Sequence, residues 1–166
     1  MTTRPEKGDP APLITLPASG DSSISLGKPD GGGQILFFYP KDNTPGCTTE
    51  ARDFSEKESA FRDLGYQIVG ISRDSLKSHG NFIGKQDLKV ILASDEDGTA
   101  CKAYGVWVEK KLYGRTYMGI ERSTFAVNRE GQIIAVWRKV RVKGHAEMVL
   151  AQITGSPQGT ENPRLV

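Results

Sequence analysis

The residues best suited to chemistry lie between Pro40 and Cys47, in the run Pro-Lys-Asp-Asn-Thr-Pro-Gly-Cys. This run joins an apolar stretch to a segment with helical periodicity, so the sulfur is predicted to lie at a helix N-terminus. Unpaired backbone N–H groups and the helix dipole favour an anion at that position. We therefore expect the Cys47 thiol to ionise more readily than a free cysteine, which matters because only the thiolate attacks electrophiles.

The three residues before Cys47 indicate a pocket around the sulfur. Pro45 lacks an N–H and fixes its own φ, while Gly46 permits a close backbone turn. Thr44 places a hydroxyl three residues before the sulfur. The alternative interpretation is that Cys47 is a small buried core residue. The Pro-Gly turn directly before it makes a nucleophile the better hypothesis.

The elements that must position this run alternate along the chain. A continuous apolar stretch predicts a buried central strand over 35–39, and the spacing of Phe54, Phe61 and Leu64 predicts a helix over 48–64. Gly65 is expected to end that helix, and Ser75 to cap the next one. The succession predicts an α/β fold in which helices flank a central mixed sheet. Further strands are predicted over 13–16, 23–26, 67–72, 90–93, 123–128 and 132–137, and further helices over 75–86, 98–104 and 145–154.

The length of 166 residues predicts one domain, with an N-terminal extension, an ordered core over about 8–154 and a C-terminal tail over 155–166. Residues 1–11 are predicted to be an unstructured lead-in. Basic and acidic residues number 22 and 20 and are interspersed, so the net charge of +2 does not indicate a nucleic-acid partner. The most basic stretch, 138–143, alternates charge with valine and predicts a solvated strand or strand extension.

The N-terminal residues, the apolar runs and the cysteines predict where in the cell the protein is located. The N-terminal residues have no apolar core of the kind a signal peptide needs, and no apolar run approaches membrane-spanning length. The two cysteines lie 54 positions apart and fit a reducing compartment better than a secreted disulfide framework. We expect a soluble, cytoplasmic protein with no membrane or nucleic-acid partner.

The run around Cys47 has the form Pro-x-x-x-Thr-x-x-Cys, which resembles the active-site loop of peroxiredoxins, thiol peroxidases with a thioredoxin-like fold. Other segments, in order, resemble the Q-type subfamily, also called bacterioferritin comigratory proteins, and the resemblance covers about residues 8–154. It implies a thioredoxin-like fold, a monomer, and reduction of hydrogen peroxide and small organic hydroperoxides to water or alcohol. The segments that carry it are 37–42, 44–50, 70–75, 94–95, 103–107 and 119–125.

The resemblance also implies catalytic roles for Cys47, Thr44, Arg122 and Pro40. Cys47 becomes a sulfenic acid, and Arg122 supplies a fixed cation with several planar donors to the sulfur and the peroxide. Thr44 offers its hydroxyl as a further hydrogen-bond donor to the peroxide, and Pro40 shields the sulfur from water. Substrate binding falls to Thr44, Cys47 and Arg122 together with Gly46, whose backbone N–H adds a donor.

Simpler alternatives remain open for some of these positions. Arg122 could form a surface ion pair with Glu121 or another acid, and Pro40 could only terminate a strand. Glu50, in the first helical turn, could orient the arginine, but complementing the helix dipole is the safer interpretation. The chemistry needs no cofactor, and no metal site is expected, because the chain has only His79, His145 and two distant cysteines as soft ligands.

A second thiol must reduce the sulfenic acid, and here the chain departs from the family pattern. Many Q-type members carry a resolving cysteine five residues after the first, where this chain has Arg52, and others carry it at the position aligned with Ile83. Cys101 is the only internal candidate for a resolving cysteine. It shares an inward helix face with Tyr104. It either packs as a core residue or forms a disulfide with Cys47. The favoured reductant is external: thioredoxin, glutaredoxin or a low-molecular-weight thiol.

Spacing argues against two other cysteine chemistries. A thioredoxin-type reductase needs Cys-x-x-Cys, but Glu50 holds the second cysteine's place, and a cysteine phosphatase needs an arginine where Asp53 stands. One alternative function stays open. A peroxide sensor or redox relay could pass oxidation from Cys47 to a partner protein, because a long-lived sulfenic acid suits a relay.

Overall fold

The apolar segments form regular elements in a computed structural model, which describes residues 4–28 and 31–155. The predicted α/β fold with flanking helices is confirmed. Along the described residues the elements are β1 (Ile14–Ala18), β2 (Ser22–Leu26), β3 (Gly33–Phe38), α1 (Pro45–Glu56), α2 (Glu58–Asp63), β4 (Tyr66–Ser72), α3 (Leu76–Gln86), β5 (Ile91–Ser94), α4 (Thr99–Ala103), β6 (Trp107–Leu112), β7 (Arg115–Ile120), β8 (Ser123–Val127), β9 (Ile133–Trp137) and α5 (His145–Ile153).

The main sheet has the strand order β2-β1-β5-β4-β3-β8-β9. Strand β3 lies inside the sheet, pairs parallel with β4 and antiparallel with β8, and is buried along its whole length. A strand that is covered on both faces has a continuous apolar sequence, so this strand could be predicted. The mixed pairing of β3 confirms the predicted mixed sheet.

Alternate residues of β3 face two separate apolar cores, because successive side chains of a strand point to opposite faces. Ile35 and Phe37 belong to the core that also contains Cys47 and residues of α1, α3 and α5. Leu36 and Phe38 belong to the core that contains Cys101 of α4. The sheet therefore separates the two cysteines.

The predicted helix over 48–64 is two helices. Helix α1 begins three residues earlier than predicted, at Pro45, because proline suits the first helical position, where its missing N–H loses no hydrogen bond. Lys57 has φ −103° and separates α1 from α2. Gly65 follows α2 with φ +86°, as expected for a helix-ending glycine, and the Ser75 hydroxyl accepts from the Ser78 N–H at 3.1 Å, as predicted for a cap.

A hairpin formed by β6 and β7 was not predicted from the sequence. Its strands pair from Trp107 with Ile120 to Leu112 with Arg115, and its turn residues Tyr113 and Gly114 both have positive φ. Two consecutive residues with positive φ fit the type I′ turn of a tight hairpin. The signal was weak because most of the hairpin is exposed and its residues do not alternate regularly between apolar and polar types.

The prediction that residues 1–11 are unstructured is wrong for residues 4–11. The Gly8 N–H donates to the Ile133 carbonyl at 2.8 Å, and the Ala11 N–H donates to the Gly131 carbonyl at the same distance. The guanidinium of Arg138 holds the Pro5 carbonyl at 2.8 Å. This segment is ordered because it supplies partners to the edge of the sheet beside β9, which local composition does not reveal.

Two other predictions concern the C-terminal third of the chain. Residues 138–143 form no strand, although the exposure of their side chains alternates as the pattern predicted. The predicted tail lies outside the described residues from position 156 onward, as do residues 1–3 of the lead-in. In the described ranges, no helix combines the length and the apolar character needed to cross a membrane.

Candidate active site

The loop before Cys47 is anchored by a buried carboxylate. Asp42 accepts hydrogen bonds from the Tyr39 hydroxyl at 2.6 Å and the Ser78 hydroxyl at 2.7 Å, and it contacts Nδ1 of His79 at 2.8 Å. Burial by itself raises the pKa of Asp42, but the hydrogen bonds from these three partners outweigh it and the pKa is lowered. An ionised carboxylate thus joins the end of β3 to α3.

Sequence reasoning missed this anchor. Asp42 lies within the loop motif, but the histidine is 37 positions away on another helix. His79 is fully buried, and its Nε2 lies 2.9 Å from the Ala93 carbonyl of β5. Both ring nitrogens therefore contact protein oxygens. Asp42, Asp74 and His79 lie close enough together to hold a metal ion, but Asp42 and His79 make the hydrogen bonds above. Asp74 accepts from the Asp42 N–H at 2.8 Å and from the Ser72 hydroxyl at 2.7 Å.

Cys47 is the third residue of α1 and follows Thr44, the N-cap residue. The first intrahelical bond runs from the Thr48 N–H to the Thr44 carbonyl at 2.8 Å. Because the first N–H groups of a helix lack intrahelical partners, those of Gly46 and Cys47 remain available as donors at this end. The predicted placement of the sulfur at a helix N-terminus is confirmed.

The guanidinium of Arg122 bridges the sulfur and a buried carboxylate. One terminal nitrogen, Nη2, donates to Cys47 Sγ at 3.4 Å, and the other, Nη1, donates to Glu50 Oε1 at 2.7 Å. Arg122 lies in the short connection between β7 and β8. Cys47 and Glu50 lie on successive turns of α1. Glu121, the alternative partner considered for this arginine, instead pairs with Arg4 at 2.7 Å.

Gly46 makes this approach possible. A Cβ atom at this position would lie 3.3 Å from Nη2 of Arg122. That separation is tighter than ordinary van der Waals contact, so a side chain here would push the guanidinium away from the sulfur. The glycine thus matters for the distance between cation and nucleophile as well as for the turn.

The carboxyl group of Glu50 is buried with only part of its hydrogen-bonding capacity used. The residue is 1% exposed, and within the described part of the chain its Oε2 has no hydrogen-bond partner. Burial raises the pKa of Glu50 to about 7, and the charge and hydrogen bond of Arg122 only partly oppose this rise. The carboxyl therefore keeps its proton to a higher pH than an exposed glutamate does.

The Thr44 hydroxyl donates to the Lys41 carbonyl at 2.8 Å. Its proton is engaged by the backbone, so the oxygen can accept a hydrogen bond from a ligand but cannot donate one. Pro40, two residues after the end of β3, is exposed. The cavities of about 800 Å³ and about 600 Å³ elsewhere on the molecule are lined by other residues.

Cys101 occupies a different environment from Cys47. It is fully buried in the core on the opposite face of the sheet, and both cysteines are free thiols. Its N–H donates to the Asp95 carboxylate at 2.8 Å, and burial together with this carboxylate raises the pKa of the Cys101 thiol. At the two other positions considered for a resolving cysteine, Arg52 is exposed on α1 and Ile83 is half-buried on α3.

A buried cysteine at the N-terminus of the helix after a central strand, in contact with a guanidinium that precedes the neighbouring strand, defines a thioredoxin-like protein with a thiol-based redox site. The AhpC/TSA family model matches residues 7–136. The chain therefore belongs to the AhpC/TSA family, in its Q-type peroxiredoxin branch. Peroxiredoxins are thiol-dependent peroxidases, so this protein is an enzyme of that kind.

Individual relatives agree with this assignment. Peroxiredoxin Bcp from Xanthomonas campestris is 47% identical over 146 residues, which cover 87% of this chain and 91% of that protein. A structure of the Xanthomonas campestris bacterioferritin comigratory protein, studied for its alkyl peroxide reduction activity, is 45% identical with a TM-score of 0.80, over 86% of this chain and 90% of that one. A structure of peroxiredoxin Q from Xylella fastidiosa, determined as a cysteine-to-serine mutant, is 38% identical with a TM-score of 0.85. The match covers 93% of this chain and 98% of that one.

Proposed function

We propose that the Cys47 thiolate attacks one oxygen of a hydroperoxide while the O–O bond breaks. The sulfur gains that oxygen as a sulfenic acid, and the departing oxygen takes a proton to leave as water or an alcohol. The observation that carries this proposal is the 3.4 Å contact between Arg122 Nη2 and Cys47 Sγ. This contact supports the proposal because a permanent cation beside the sulfur stabilises both the thiolate and the negative charge that develops on the departing oxygen.

Four residues complete the proposed site. The N–H groups of Gly46 and Cys47 donate to the peroxide, and the Thr44 oxygen accepts a hydrogen bond from its O–OH group. This assignment changes the expected role of Thr44 from donor to acceptor, because its own proton is bound to Lys41. Pro40 limits the access of water to the sulfur.

The proposed substrates are hydrogen peroxide and small organic hydroperoxides. All of them share the O–OH group that these donors and this acceptor recognise. The alkyl peroxide reduction activity of the Xanthomonas campestris relative supports the inclusion of organic hydroperoxides.

The proposed reductant of the sulfenic acid is an external thiol, supplied by thioredoxin, glutaredoxin or a low-molecular-weight thiol. Arg52 and Ile83 occupy the two positions expected for a resolving cysteine. Cys101 could reach Cys47 only after α4 leaves its core, because a disulfide needs Cα atoms within about 7 Å. We therefore propose a structural role for Cys101 and a single-cysteine cycle.

We further propose that the chain is one domain that works as a cytoplasmic monomer. A compartment that keeps thiols reduced suits a cycle that depends on an external thiol. The names of its relatives favour turnover as a peroxidase over a sensor that passes oxidation to a partner protein.

Intact mass spectrometry after one equivalent of peroxide, without reductant, tests this cycle. We expect a gain of one oxygen in the wild type and in Cys101→Ser, and no change in Cys47→Ser. With excess thiol, wild type and Cys101→Ser should both consume many equivalents of peroxide. A loss of two hydrogens in the wild type that Cys101→Ser abolishes would show an internal bridge and contradict the single-cysteine cycle.

A further inference from the structure

One basic residue near Cys47 has no role in the mechanism above. Lys110 of β6 faces Tyr117 of β7, and the pair Val108 and Gly119 is next on the same face of the hairpin. A Cβ atom on Gly119 would lie 3.3 Å from Lys110 Cδ, so the missing side chain leaves room for the lysine stem to cross the hairpin. The hairpin then continues directly into Arg122.

Lys110 is half-buried, and its ammonium group forms no ion pair or hydrogen bond within the described residues. Burial lowers the pKa of Lys110, and repulsion by the Arg122 guanidinium lowers it further. Cys47 and Glu121 act on it in the opposite direction. The lysine stem lies over Gly119, three residues before the arginine that contacts the Cys47 sulfur. The ammonium is therefore within electrostatic range of that guanidinium.

The acidic groups nearby are already paired with other cations. Glu121 binds Arg4, and Glu50 binds Arg122. When the Cys47 thiolate becomes a neutral sulfenic acid, the site loses one negative charge and both cations remain. The oxidised site is thus more electropositive than the reduced site, and it attracts anions most strongly when a reductant must bind.

We propose that Lys110 is a specificity-determining residue for the reductant and binds the carboxylate of a small anionic thiol. This inference rests on the proposed single-cysteine cycle. The thiolate of the reductant attacks Cys47 sulfur, a mixed disulfide forms and hydroxide leaves. A second thiolate then attacks the reductant's sulfur in the mixed disulfide, which yields the free small disulfide and restores the Cys47 thiolate.

Three thiols of different charge test this role: mercaptopropionate, mercaptoethanol and cysteamine, which are anionic, neutral and cationic. The enzyme is first oxidised with one equivalent of hydrogen peroxide, and formation of the mixed disulfide is then followed by quenched mass spectrometry. Rates are compared at equal thiolate concentration, so that differences in thiol ionisation do not contribute. For the wild type we expect mercaptopropionate to react about fivefold faster than mercaptoethanol, the factor for one opposite charge at contact distance in water.

The variants separate Lys110 from general surface charge. Lys110→Met should remove the preference, Lys110→Glu should reverse it in favour of cysteamine, and Lys110→Arg should retain it. Lys111→Met is the matched control, because Lys111 is exposed on the other face of the hairpin, opposite Thr116. The wild-type preference should also shrink as salt concentration rises, since exposed charges are screened.

Equal preferences in wild type and Lys110→Met, or equal losses in Lys110→Met and Lys111→Met, would overturn the assignment of Lys110. Failure of the underlying cycle gives a different result. In that case one equivalent of peroxide produces no sulfenic acid on Cys47 in the wild type, before any thiol is added.

Discussion

The guanidinium of Arg122 lies 3.4 Å from the sulfur of Cys47, although 75 positions separate the two residues in the sequence. The contact exists because β3 and β8 are neighbours in the sheet, which brings the start of β8 beside the helix that follows β3. The same guanidinium holds Glu50, so one cation links a nucleophile to a buried carboxyl group whose pKa is near neutrality.

Arg122→Lys should slow the oxidation of Cys47 by peroxide about 100-fold. A lysine keeps the charge but lacks the fork that donates to the sulfur and to Glu50 simultaneously. The measurement is the second-order rate constant of Cys47 oxidation in a single turnover. Arg62→Lys is the control, because Arg62 pairs with Glu58 on the surface. Equal rates in the two variants would argue against the proposed role of Arg122.

Gly46→Ala should lower the same rate constant about tenfold without reducing stability. The added Cβ displaces the Arg122 guanidinium from the sulfur, and small misplacements of a reacting group carry large kinetic effects. Gly84→Ala in α3 meets nothing within 4 Å and should leave the rate unchanged. A Gly46→Ala variant as fast as the wild type would show that the arginine tolerates this shift.

Glu50→Gln should change how stability depends on pH. Because burial raises the pKa of Glu50 from 4.5 to about 7, the folded state holds this proton more tightly than the unfolded state. Between these pH values the free energy of unfolding should therefore fall as pH rises, by on the order of 3 kcal/mol from this group. Urea unfolding at pH 5 and pH 8 measures the effect.

The glutamine variant should lose this part of the pH slope, whereas Glu58→Gln on the surface should keep it. Activity gives a second readout. Above pH 7 an ionised Glu50 competes with the Cys47 thiolate for the charge of Arg122. The activity of Glu50→Gln, relative to that of the wild type, should therefore increase as pH rises. Parallel pH profiles in wild type and Glu50→Gln would contradict this coupling.

Asp42→Asn should destabilise the protein by about 3 kcal/mol, because it leaves buried donors of Tyr39, Ser78 and His79 without a charged acceptor. The hydrogen bonds that lower the pKa of Asp42 act when it is ionised, so this contribution is lost in the wild type as pH falls through that pKa. Chemical unfolding measures the change. Asp63→Asn, at an exposed position, should be nearly neutral, and an equally small effect at Asp42 would exclude the anchor.

Much of the local structure could be predicted because its causes act within a few residues. The apolar run of β3 indicated a strand buried on both faces, and Ser75 and Gly65 indicated where helices begin and end. The resemblance to peroxiredoxins, which the family match confirms, named Arg122 as the partner of Cys47. Charge and spacing alone could not have distinguished it from the other arginines.

The sequence by itself determined that a thiol stands at a helix N-terminus in an α/β protein, since hydrophobic periodicity and turn residues are local signals. Only the tertiary structure decided that Cys101 lies across the sheet from Cys47, that Glu50 shares the guanidinium of Arg122, and that the stem of Lys110 crosses the β6–β7 hairpin at Gly119. These relationships depend on strand order and on which face of the sheet each segment covers. Such long-range pairings leave no trace in the local pattern of residues.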